Sequence, residues 1–236
     1  MTAGSETERA VAALVAWMES LRDEGRREGL ARFGIRNDRA FGIPVPVLRQ
    51  KARDWRGRHD VALALWHTGW HEARILAGMM ADPRQLTPQQ MDAWVEAFDS
   101  WDLCDQCCGN LFWRTSFVRE AIGRYVADGR EYVRRTGFVL IAALAVHDRT
   151  VTADEAAGWL RLVARYADDD RNFVKKAVNW ALRQIGKRGP DFREMALNVA
   201  ERLAASDVRS ARWIGRDAVR ELSSPRTVAR MRDGRV

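Results

Sequence analysis

Val174-Lys-Lys-Ala-Val-Asn-Trp-Ala-Leu182 returns in altered form upstream as Val133-Arg-Arg-Thr-Gly-Phe-Val-Leu140 and downstream as Val208-Arg-Ser-Ala-Arg-Trp-Ile-Gly215. The three copies begin 41 and then 34 residues apart, periods that suit a solenoid of two-helix repeats. Each copy opens with basic residues in its first two turns: Arg134 and Arg135, Lys175 and Lys176, Arg209 and Arg212. The helix macrodipole disfavours cations there by about 0.3 to 1 kcal/mol, so something should offset the cost. Phosphates would, because helix N-termini and neighbouring Lys or Arg side chains both attract them, and stacked repeats would line these helix starts along one groove. Solvated surface charge is the plainer alternative.

Outward from the repeats, apolar residues recur at helical spacing almost everywhere. Ser5-x-x-Glu8 reads as a capping box, followed by Val11, Leu14, Val15, Met18 and Leu21 on one face. Residues 25–42 are basic and punctuated by glycine, and Gly42-Ile-Pro-Val-Pro46 preorganises a helix from about Val47 to Trp55. Helices are predicted over 61–66, 71–80, 87–98 with Thr87 as N-cap, and from Ser100 onward. Others follow over 116–126, 131–146, 153–166 with Thr152-x-x-Glu155 as a capping box, 172–185, 190–204 and 208–222. The sequence shows no convincing strand, and the connections are short. An all-α stack of antiparallel helix pairs follows, with repeats of the HEAT type. We expect one domain, with N-terminal helices over about 5–56, repeats over about 57–222 and a short tail over 223–236.

The chain has 236 residues, 47% hydrophobic content and a net charge of +7, enough for a sizeable core and a bias toward a polyanionic partner. An arginine-rich composition without functional meaning would give the same total. Three cysteines crowded into five positions do not make a disulfide framework, and a reducing compartment is expected. Met1 to Arg9 lacks the basic start and apolar core of a signal peptide, and the longest apolar run, 137–146, is too short to span a bilayer. A cytoplasmic, nucleoid-associated monomer with no membrane contact is the expectation.

Phe98-Asp-Ser-Trp-Asp-Leu-Cys-Asp-Gln-Cys-Cys-Gly-Asn-Leu-Phe-Trp113 puts charge, aromatic surface and thiols where a helix is ordinarily apolar. Trp101 and Asp105 are four residues apart and share a face, while Leu103, Cys107 and Leu111, with Cys104, turn inward. An exposed indole beside a carboxylate suits a cationic ligand lying against both. A carboxylate paired with a nearby arginine is the other reading of Asp105. Asp102, one position off that face, suits a cap or a partner to the functional groups.

Three segments in order, Trp101-Asp-Leu-Cys-Asp105, Arg134-Arg135 and Phe173-Val-Lys-Lys-Ala-Val-Asn-Trp180-Ala-Leu-Arg-Gln, resemble the signature segments of the AlkD family of DNA alkylation repair glycosylases. Phe41-Gly-Ile-Pro-Val-Pro46 and His71-Glu-Ala-Arg74 are similar to further family segments, so the resemblance spans about 30–222. It implies an α-α superhelix of HEAT-like repeats whose concave basic groove holds double-stranded DNA containing alkylated bases. The implied reaction hydrolyses the N-glycosidic bond of cationic N3- or N7-alkylpurines without base flipping. Carried over by motif, Asp105 is the catalytic carboxylate, Trp101 and Trp180 lie against the lesion's sugar and backbone, and Arg135 holds phosphate. Phe33 stands where the family can have tyrosine, which keeps a stacking role and loses a hydroxyl.

Other constellations are weaker. Cys104-x-x-Cys107-Cys108 has half the spacing of a zinc or redox site without a second ligand pair, and buried thiols fit better. His59-Asp60 and His147-Asp148 lack the further ligands of a metal-dependent phosphohydrolase, and Gly186-Lys-Arg-Gly189 lacks the spacing of a P-loop. No cofactor and no metal are expected. A non-catalytic HEAT-repeat module that binds nucleic acid or protein is the alternative function.

Overall fold

The computed structural model describes residues 3–232, and every regular element among them is helical. The chain divides into two compact units, residues 1–118 and 119–236. In the first, α1 (Ala3–Ser20) packs on α4 (His59–His67), and α4 on α5 (His71–Met80), with α3 (Val45–Ala52) and α7 (Trp101–Asn110) also against α5. α2 (Glu24–Leu30) and α6 (Pro88–Glu96) complete it. The core is aromatic at its centre: Trp66 and Trp94 stack with ring centroids 4.0 Å apart, and Phe98 and Phe112 tilt against them at 6.2 Å.

The second unit comprises α8 (Val118–Ala127), α9 (Glu131–His147), α10 (Ala153–Arg165), α11 (Asn172–Gly186), α12 (Pro190–Ala204), α13 (Arg209–Leu222) and α14 (Pro225–Arg232). α11 packs against α9, α12 and α13, and α12 against α10 and α13. Close approach of α13 to α12 needs Gly215, where a Cβ would stand 2.1 Å from the Ala204 nitrogen.

The predicted helices are present, with instructive shifts. α1 spans Ala3–Ser20 among the described residues, so Ser5 lies inside the helix and not at the N-cap position. Thr87 and Gln90 form both halves of a capping box, at 2.9 and 3.1 Å. At α10 only half the expected box forms: Thr152 accepts from the Glu155 N–H, while the Glu155 carboxylate is drawn 2.7 Å from Arg119. The repeat register also moves. Ala177, Val178, Ala181, Leu182 and Ile185 are buried, and so are Ser210, Ala211, Ile214, Gly215 and Ala218, a shift of 33 positions. The 34-residue period matched Val174 with Val208, but Val174 is buried and Val208 is an exposed N-cap. α2 and α14 are additional helices, α14 falling in the stretch expected to be a tail. Among the described residues no helix is long and apolar enough to cross a membrane.

Candidate nucleic-acid interface

α7 starts with Ser100 in extended conformation as its N-cap residue. Leu103, Cys104, Cys107, Cys108 and Leu111 are fully buried, so the inward face is the one the spacing predicts, with Cys108 added. Burial holds the Cys107 and Cys108 thiols well above their usual range, which keeps them protonated and inert as nucleophiles. The close neighbour of Cys107 is Gly78 of α5, where a Cβ would meet its sulfur at 3.1 Å. Trp101 and Asp105 sit half-buried on the other side. The Trp101 indole N–H donates to the Phe33 carbonyl at 2.9 Å, which fixes the ring and brings Phe33 beside it. Phe33 itself is 64% exposed. Phe33, Trp101 and Asp105 therefore belong to one surface of the first unit.

Beneath that surface lies a pair the residue pattern did not connect. His71 Nε2 and Asp102 Oδ2 are 2.8 Å apart, linking the first turns of α5 and α7, and both side chains are nearly buried. Burial pulls the His71 pKa down, but the Asp102 carboxylate, with the charges of Glu72 and Asp99, raises it above its ordinary 6.5. Burial likewise pushes Asp102 up, and His71, Ser100 and the Leu103 N–H bring it below its ordinary 3.8. Both shifts mark an ionised pair. The raised His71 stabilises the fold fully below about pH 6.5 and loses that contribution as pH rises through its folded pKa. The depressed Asp102 contributes above about pH 3.8 and loses it as pH falls through its folded pKa. Urea midpoints measured across pH should therefore fall in wild type as pH rises from about 6.5 through the folded pKa of His71. In His71→Gln that decline should be smaller, and identical profiles would refute the pairing.

Glu72 was likewise missed, although its setting was visible: a carboxylate among Ala73, Ile75, Leu76 and Ala77 needs a partner inside the protein. At 2% exposure it accepts the backbone N–H groups of Phe41, Gly42 and Ile43 at 2.8, 2.6 and 3.2 Å. The Phe41-Gly-Ile and His71-Glu72 segments are thus two halves of one structure.

The second unit carries the basic charge. Residues 119–236 hold 24 Lys and Arg against 16 Asp and Glu, while residues 1–118 hold 15 against 16. Lys176 and Arg209 are exposed, as expected for phosphate ligands, and Lys175 is partly exposed. Trp180 is partly exposed on α11, four residues beyond Lys176 and on the same face. Asn179, beside it and buried, donates to Asp217 at 2.7 Å.

Three of the arginines expected at phosphates have partners within the second unit. Arg135 is 5% exposed and donates to the Phe173 carbonyl at 2.5 Å, fastening the start of α11 to α9. Arg134 pairs with Asp169 at 2.6 Å, donates to the Val126 carbonyl and lies over Tyr166. Arg212 turns back to the Ser206 carbonyl at 2.8 Å. Arg134 and Arg135 tie α9 to the end of α8, to the Asp169 turn and to the start of α11.

The sequence matches the family model for DNA alkylation repair enzymes over residues 14–222. No curated protein matches it at a significant level. Among solved structures, the chain is similar to one described as "A new family of proteins related to the HEAT-like repeat DNA glycosylases with affinity for branched DNA structures". The TM-score is 0.74 at 17% identity, covering 89% of this chain and 94% of that one. The fold is thus an α-α solenoid of HEAT-like repeats.

Proposed function

The chain belongs to the DNA alkylation repair enzyme family, and from that premise we propose that it is a DNA glycosylase acting on cationic N3- and N7-alkylated purines in duplex DNA. The observation that carries this reading is α7, where Trp101 and Asp105 share the outward side of a helix whose other side is sealed by Leu103, Cys104, Cys107 and Cys108. Alkylation already makes the purine a cationic leaving group, so no acid is needed. As the C1′–N bond breaks, its electron pair leaves with the base, which departs neutral, and positive charge passes to the sugar. Asp105 stabilises that oxocarbenium-like sugar and takes the proton of the water that adds to C1′.

The indole face of Trp101 stabilises cationic sugar by an amount on the order of 1 kcal/mol, a role that the resemblance to the family also assigns to Trp180, and Phe33 adds apolar surface beside Trp101. Lys175, Lys176 and Arg209 neutralise phosphates, with Arg134, Arg135 and Arg212 shaping the helix starts that carry them. Recognition through cation, sugar and phosphate needs no flipping of the base into a pocket.

Incubation of a duplex containing 7-methylguanine with excess protein should release the free base in a single turnover. Affinity for the duplex should fall steeply with salt, by a log–log slope of about 0.9 per phosphate neutralised. Salt-dependent binding without base release would transfer the reading to a non-catalytic HEAT-repeat DNA-binding module. The described affinity of the structural neighbour for branched DNA favours that second reading.

A further inference from the structure

α13 presents one continuous exposed stripe: Arg209, Trp213, Arg216 and Arg220, at intervals of four, three and four residues, the spacing of a single helix face. Ser210, Ala211, Ile214, Gly215, Ala218 and Leu222 are buried on the other side. At 40% exposure Trp213 is the most exposed tryptophan among the described residues. Its ring has the Lys175 ammonium 5.2 Å from its centroid. Lys176, Arg209 and Arg216 are exposed, and none forms an ion pair with a described residue, whereas Arg220 is held by Asp217.

The burial register adds a second observation. At the 33-residue shift that superposes the buried faces of α11 and α13, Arg209 falls on Lys176 and Trp213 falls on Trp180. The pattern of a cation followed four residues later by an exposed-side indole is therefore repeated on the neighbouring helix.

A solvated indole set among uncompensated cations matches a polyanion that also offers flat aromatic faces. Nucleic acid is that partner, and a base stacks on an indole only where it has left its own stack. We propose that Trp213 is a second nucleotide-binding surface, taking the face of an unstacked base while Arg209 and Arg216 hold the flanking phosphates. This rests on the DNA-binding reading above and extends it one repeat beyond Trp180.

The test is fluorescence anisotropy with two probes, a fully paired duplex and the same duplex carrying one unpaired nucleotide, at several salt concentrations. Wild type should prefer the second probe. Trp213→Ala should weaken binding to that probe about tenfold and to the paired duplex less than about twofold, with the salt slope unchanged. Trp213→Phe should keep most of the preference. Arg209→Ala should weaken both complexes and lower the slope by about 0.9. Circular dichroism and urea midpoints check that each variant folds.

Equal losses on the two probes, no loss, or no preference in wild type would overturn the role of Trp213 and leave the DNA-binding reading standing. Failure of wild type to bind either probe would remove both. A protein partner instead of DNA would appear as that same failure.

Discussion

Asp105→Asn is expected to lower single-turnover release of 7-methylguanine by about a hundredfold or more, with fold and DNA affinity nearly unchanged. Asparagine keeps the size and hydrogen-bonding reach of the side chain and removes only its charge. The rate reads the loss of the interaction with the developing sugar cation, and loss of a preorganised electrostatic group of this kind costs about 10²- to 10³-fold in rate. Ground-state binding should hold or tighten, because a carboxylate near phosphates is repelled before the reaction begins. Asp105 is partly exposed on α7, outside the Leu103-Cys104-Cys107-Cys108 core, so the substitution leaves packing intact. Trp101→Ala differs in kind. It removes the ring tied to the Phe33 carbonyl and should reduce turnover and lesion discrimination together. Equal release rates for wild type and Asp105→Asn would take Asp105 out of the mechanism.

The helices and the outward pairing on α7 were legible because both depend on spacings of three and four residues. α2 escaped notice because none of its residues is buried, so its sequence carries no apolar period. The period of 34 came from matching residue types, whereas packing aligns buried positions and gives 33. Long-range partners were beyond local pattern: His71 meets Asp102 across 31 positions, and Arg134 meets Asp169 across 35. A basic residue at a helix start looks the same in sequence whether it reaches a phosphate, as proposed for Lys176, or is consumed inside, as Arg135 is. Only the placement of an acid or a carbonyl from another helix decides between them, and that placement is a property of the packed core.

Glu72 shows how much such a placement can weigh in the stability of the first unit. Phe41 and Ile43 are buried, and Gly42 between them has φ +82°, with a Cβ position 2.4 Å from the Asp23 carbonyl oxygen, so the turn admits only glycine. The three N–H groups of this turn point at one carboxylate and away from water. Glu72→Ala leaves them unsatisfied, at about 1 to 3 kcal/mol each, and opens a cavity on α5. Relief of the buried charge offsets part of that, and the net loss should be about 4 kcal/mol, a large fraction of the 5 to 15 kcal/mol typical of a folded domain.

Glu72→Gln should fall between the two. Its carbonyl oxygen can still serve Gly42 and Ile43, but its amide N–H₂ then faces the Phe41 N–H, donor against donor, for a loss of about 2 kcal/mol. Urea unfolding of the three proteins, followed through tryptophan fluorescence, gives the ordering directly. A loss below about 1 kcal/mol in Glu72→Ala would mean that the turn finds other acceptors, and that Glu72 does not clamp the Phe41 turn to α5.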